Sequence, residues 1–247
     1  MFFKNLFFSH YNLFGVGFRA VVFSLALAFF GNSRSFGAFF LFIALAFYFY
    51  LKPFFEAKKY FFSYLIFLVT ALLAISRLPA ESGKWNFIAA AVFGLAFYAF
   101  LGIKNLIFIH RSSIYEFLNN FVFFLVFIIF FMADKSSEWI FWGYGAAVLS
   151  FFLLFRESII LRTSHVLKIN LFSVSLAALI SQFILAVSYL PVGFLNSAAI
   201  SLAAVLVLKD LTVSHLRGDL NRQVILKNAT IILLFSVIVF MASKWQP

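Results

Sequence analysis

Residues 169–208 are forty consecutive positions without an Asp, Glu, Lys or Arg. As one helix they would extend about 60 Å, twice the ~30 Å hydrocarbon core of a bilayer. Pro191-Val192-Gly193 sits near the middle of the run, where a tight turn is chemically reasonable. The run therefore reads as two membrane passes joined at 191–193. A 247-residue chain that is 65% hydrophobic and 11% charged, with 41 Phe, extends this reading to its whole length. Soluble domains are about 45–50% apolar and about 25% charged. The composition excludes a soluble enzyme, a disordered chain and a nucleic-acid binder.

The expected fold class is all-α: a polytopic integral membrane helix bundle of about nine transmembrane helices. Apolar runs place them near 13–30, 36–51, 60–76, 86–103, 114–132, 139–155, 169–190, 192–208 and 224–242, in a single transmembrane domain over 1–247 with no soluble domain. Lys4 followed by the apolar run Val21–Phe30 looks like a signal peptide. However, Arg19 interrupts it, and Phe29-Phe30-Gly31 is a poor cleavage site. The segment reads as an uncleaved first helix.

Net charge is +11, and its distribution sets the orientation. With the N-terminus cytoplasmic, thirteen Lys and Arg fall in inner segments and five in outer ones, a positive-inside signal that puts the C-terminus outside. Trp85, Trp139, Trp142 and Trp245 then lie at outer helix ends, where amphipathic rings favour the interface. The expected location is a membrane of the cytoplasmic, inner-membrane type.

Three segments fit K-[ND]-L-x-[FV]-[SI]-H: Lys4–His10, Lys104–His110 and Lys209–His215. Weaker copies begin at Lys52 and Arg156, so the starts are separated by 48, 52, 52 and 53 residues. Ser82-Gly-Lys-Trp85, Ser136-Ser-Glu-Trp139 and Ser243-Lys-Trp245 keep a similar period on the other side. The implied unit is a helical hairpin of about 52 residues, repeated by duplication. Convergence of short basic loops explains the Lys, but less easily the Leu and His at fixed offsets.

Candidate site residues gather near the inner helix ends. Lys4, His10, Lys104, His110, His165, Lys209 and His215 are read as interfacial repeat positions, anchoring at the headgroups. No two His are spaced i, i+3 or i+4, and no metal motif occurs. Arg19, Glu116, Asn119, Asn120, Asn170, Lys227 and Asn228 form a polar layer at similar depth. Glu116, Asn119 and Asn120 share one helical face. Arg19, a charge inside an apolar run, either pairs inside the bundle with Glu116 or snorkels to headgroups. The carboxylates Glu56, Glu157, Asp210 and Asp219 adjoin Lys or Arg and read as locally neutralised interfacial pairs.

The chain has no Cys, P-loop, G-x-S-x-G or acidic pair spaced for a diphosphate-bound Mg²⁺. No carboxylate sits at mid-membrane, which disfavours ion coupling, and matched Gly/Pro helix breaks are absent. No catalytic residue, cofactor or metal is assigned. The favoured function is a non-catalytic membrane component or small permease with a basic cytoplasmic face. Its partners are the bilayer, anionic headgroups and other membrane proteins, with no nucleic acid. The alternative is a membrane-embedded enzyme acting on a lipid-linked phosphate at the cytoplasmic interface.

Overall fold

In a computed structural model the described residues are 2–51, 60–79, 83–105, 107–108, 110–133, 139–162 and 166–242. Within the helices only the backbone is described at 2–13, 139–141, 166–167, 238–240 and 242. The described residues form nine α-helices and no strand. In order these are α1 (Phe2–Ser33), α2 (Phe36–Leu51), α3 (Phe61–Arg77), α4 (Gly83–Lys104), α5 (Arg111–Met132), α6 (Trp139–Ile160), α7 (Val166–Ser188), α8 (Phe194–Arg217) and α9 (Arg222–Ala242).

Among the described residues, six helices are long and apolar enough to cross a membrane: Phe14–Ser33, Gly83–Lys104, Arg111–Met132, Trp142–Ile160, Lys168–Ser188 and Phe194–Arg217. The helices α2 and α3 are apolar but shorter, at 16 and 17 residues. Lengths and compositions of this kind belong to a multi-pass membrane protein.

Two helices overrun the apolar segments. Helix α1 starts at Phe2 rather than near 13, and α8 continues to Arg217 rather than stopping near 208. The segment Lys209–Arg217 is polar but contains no Gly or Pro, so nothing breaks the helix until Gly218. That glycine has φ of 78°. Its N–H reaches the His215 carbonyl at 3.1 Å, and the Asp219 N–H reaches Ser214 at 3.0 Å. Left-handed glycine caps of this type satisfy the last carbonyls of a helix.

The chain divides into two compact units, Met1–Leu118 and Asn119–Pro247, with the boundary inside α5. In the first, α1 packs most extensively on α4 and next on α2. Small residues make the approach close. A Cβ added at Gly94 would collide with the Ser24 hydroxyl and lie 3.4 Å from the Ala20 carbonyl. In lipid, helices associate mainly through such packing and through interhelical hydrogen bonds. Asn86, near the start of α4, donates to the Asn32 side chain at the end of α1 at 2.9 Å, so the two helices run antiparallel. Between them Phe23 stacks on Phe97 at 4.1 Å and meets Phe42 at 5.0 Å. At the opposite end Tyr50 stacks on Tyr64 at 3.7 Å, and the Tyr64 hydroxyl donates to the Ala46 carbonyl at 2.8 Å.

In the second unit α6, α7, α8 and α9 pack in sequence order. Its α5 segment joins through rings: Phe123 lies 4.9 Å from Phe155, and Phe127 lies 5.1 Å from Phe151. Along α9, Asn228 is the one buried side chain among those described.

Candidate functional site

The polar groups of the second unit meet at the end where α5, α7 and α9 begin and α6 and α8 finish. Lys209 lies on the buried stripe of α8, one turn after Val205 and one before Val213. Only 2% of it is exposed. Its ammonium donates to Asn119 Oδ1 at 3.0 Å and Asn120 Oδ1 at 2.9 Å, both on α5. Asn119 Nδ2 in turn donates to the Leu154 carbonyl of α6 at 3.4 Å. A charged donor needs such acceptors when it leaves water, because an uncompensated ammonium in a low-dielectric interior is costly.

The next residue turns about 100° around the helix and faces elsewhere. Asp210 Oδ2 accepts from Asn228 Nδ2 of α9 at 2.9 Å and forms an ion pair with Lys227 at 3.4 Å. Asn228 Nδ2 also reaches the Val224 carbonyl at 3.0 Å. The Lys209-Asp210 dipeptide thus ties α8 to α5 on one side and to α9 on the other. Near the end of α6 and the start of α7, Arg156 Nε donates to Asn170 Oδ1 at 3.0 Å.

In the first unit Lys104 is also only 2% exposed. Its ammonium donates to the Tyr50 carbonyl and lies 5.0 Å from the Tyr50 ring centroid. Tyr50 lies in the last described turn of α2, so this bond joins α4 to α2. Nearby, the Ser63 and Tyr115 hydroxyls are 2.9 Å apart.

Lys104 and Lys209, expected as interfacial repeat positions, are buried side chains on α4 and α8. Tertiary acceptors hold each ammonium, so neither has to reach headgroups. Glu157, read as an interfacial pair, is likewise only 5% exposed. His110 and His215 are exposed, with His215 5.8 Å from the Phe172 ring. The side chains of Lys4 and His10, and all of His165, lie outside the described residues. Arg19 is half-buried and makes no hydrogen bond or ion pair with any described residue, so the Arg19–Glu116 pair is not formed. Glu116 is half-buried on α5. Asn119 and Asn228 are buried, Asn120 is half-buried, and Asn170 and Lys227 are exposed.

The sequence reading paired Asp210 only with its adjoining Lys and left Arg156 outside the polar layer; the structure joins them to Asn228 with Lys227 and to Asn170. The signal for Asp210 was its place in the repeated K-[ND] pair; no sequence signal joins Arg156 to Asn170. Among the described residues no group of three or more His, Asp or Glu is placed to share a metal ion. No family model, no curated protein and no solved structure matches the chain.

Proposed function

We propose that the protein is a non-catalytic multi-pass membrane component or small permease, with a basic cytoplasmic end lying against anionic headgroups. One observation carries this reading. Lys209 and Asp210, at that end of the second unit, are engaged by polar groups of neighbouring helices: Lys209 by Asn119 and Asn120, and Asp210 by Asn228 and Lys227. They act as interhelical clasps, which tighten a bundle in lipid. Positive-inside bias orients that end to the cytoplasm, with the N-terminus inside and the C-terminus outside. The proposal includes duplicated helical hairpins. Its support is that Lys104 and Lys209, first residues of matching repeats, are both buried and both bond to a neighbouring helix.

The test is reconstitution of the purified protein in two bilayers, phosphatidylcholine alone and phosphatidylcholine with phosphatidylglycerol. Spin-labelled lipids should show a boundary layer enriched in the anionic lipid, with the enrichment declining as salt rises. A lipid diphosphate added to the same vesicles should release no phosphate. Release of phosphate that scales with protein would replace this reading with the enzymatic one.

A further inference from the structure

We propose that Arg156 and Asn170 form a seat for the phosphate of one anionic phospholipid, in the groove between α6 and α7. This rests on the membrane reading above and makes it specific to a site. A guanidinium carries five N–H donors in a planar fork. Arg156 uses Nε on Asn170 Oδ1 at 3.0 Å, which fixes the plane of that fork. Its two terminal nitrogens make no hydrogen bond or ion pair with any described residue. Arg156 is half-buried and lies four residues before the end of a membrane-length helix, about 6 Å along its axis. The group is a pre-oriented cation at headgroup depth whose outer edge is open. Arg forks of this kind match the paired oxygens of a phosphate.

The surface leading away from it suits acyl chains. Leu149 lies two turns back from Arg156 on the same face of α6 and is 58% exposed. Val174 lies one turn beyond Asn170 on α7 and is 55% exposed. The end of α6 meets the start of α7, so both residues run from the fork in one direction, toward the membrane interior. A free phosphate would use the fork and leave this apolar strip bare, whereas a phospholipid covers both. Arg162 just after α6 and Lys168 in the first turn of α7 stand against the single carboxylate Glu157 of α6, which favours a lipid of net negative charge.

Native mass spectrometry of the full chain in detergent, titrated with phosphatidylglycerol or phosphatidylcholine, tests the assignment. The wild type should retain one phosphatidylglycerol more tightly than the rest. Arg156→Gln should weaken that site by about tenfold, the loss of one charge-assisted contact. Asn170→Asp should weaken it similarly while leaving the melting temperature unchanged or higher, because the new carboxylate occupies the fork. That combination separates a lost ligand from a damaged fold, even if Arg156→Gln folds poorly. Arg217→Gln, at an exposed position in the last turn of α8, should not affect the site. Inorganic phosphate should neither bind the lipid-free protein nor displace the lipid. Phosphate binding of equal strength would overturn the lipid assignment. So would an anionic-lipid preference that survives both Arg156→Gln and Asn170→Asp undiminished, although the membrane reading would stand. Absence of any anionic preference in the wild type would remove the reading and the site together.

Discussion

The Lys209 clasp makes a prediction in which removing the charge should be milder than removing its acceptors. Replacing Asn119 and Asn120 with Leu deletes two carboxamide oxygens that accept from one ammonium at 3.0 and 2.9 Å. Hydrogen bonds to a charged group contribute roughly 1.5–3 kcal/mol each. Asn119 is fully buried and should show its full share, whereas half-buried Asn120 can exchange part of its bond for water. The double variant should therefore lose about 3–5 kcal/mol, the two bonds together with the second discounted for water. Lys209→Met keeps the length of the side chain and removes the charge. It removes the ammonium that donates to the buried Asn119 oxygen, at about 1–3 kcal/mol, and is relieved of the cost of holding an ammonium out of water. The triple variant should recover much of what the double loses. Reversible unfolding by SDS titration in mixed micelles would give the four free energies, and their non-additivity measures the coupling. If Lys209→Met proves the most damaging of the set, and the Asn pair can be replaced at no cost, the carboxamides do not compensate the ammonium and the argument fails.

Gly94→Ala should destabilise the first unit by about 1–3 kcal/mol, because its Cβ would displace the Ser24 hydroxyl. Adding Ser24→Ala should recover part of that loss in the same titration. Phe23→Ala should cost about 3–5 kcal/mol, since the ring is 1% exposed and contacts Phe42 and Phe97; no change in unfolding would mean those rings close the gap. Asn228→Leu should loosen α9 selectively, with faster amide exchange along α9 than along α6 and α7, because Asn228 is the buried contact by which α9 meets Asp210.

The helical class of this chain is legible because it rests on composition, and composition needs no tertiary information. The two ends of α8 show where that stops. Its start at Phe194 follows Pro191-Val192-Gly193, a turn that can be read from three residues. Its finish at Arg217 cannot be read from hydropathy, because Lys209-Asp210 look like the close of a membrane segment. They remain helical because Asn119, Asn120 and Asn228 receive their polar ends. Those contacts span 90, 89 and 18 residues of sequence, and no local pattern encodes such pairings. Arg19 is the converse case, with no hydrogen bond or ion pair to any described residue. A charge within an apolar run signals polar surroundings only when its helix face meets another polar group, and helix rotation depends on packing that a single sequence does not display.

Lys104 and Lys209 hold matching places in the repeat, yet their ammonium groups meet different chemistry. Lys209 has two carboxamides on α5. On the duplicated-hairpin reading, the position corresponding to Asn119, nine residues past His110, is Arg19, nine residues past His10. An Arg there supplies only donors and cannot receive a lysine. Lys104 instead takes the Tyr50 carbonyl of α2. A main-chain carbonyl is an acceptor independent of side-chain identity. On that reading the lysine can keep its place while its surroundings differ, because a main-chain carbonyl is present whatever the side chain. On the duplicated-hairpin reading the difference lies in the acceptor residues, and what the two segments share is the donor alone. The shared K-[ND]-L pattern therefore marks a buried cation at Lys104 and at Lys209 without indicating what either binds.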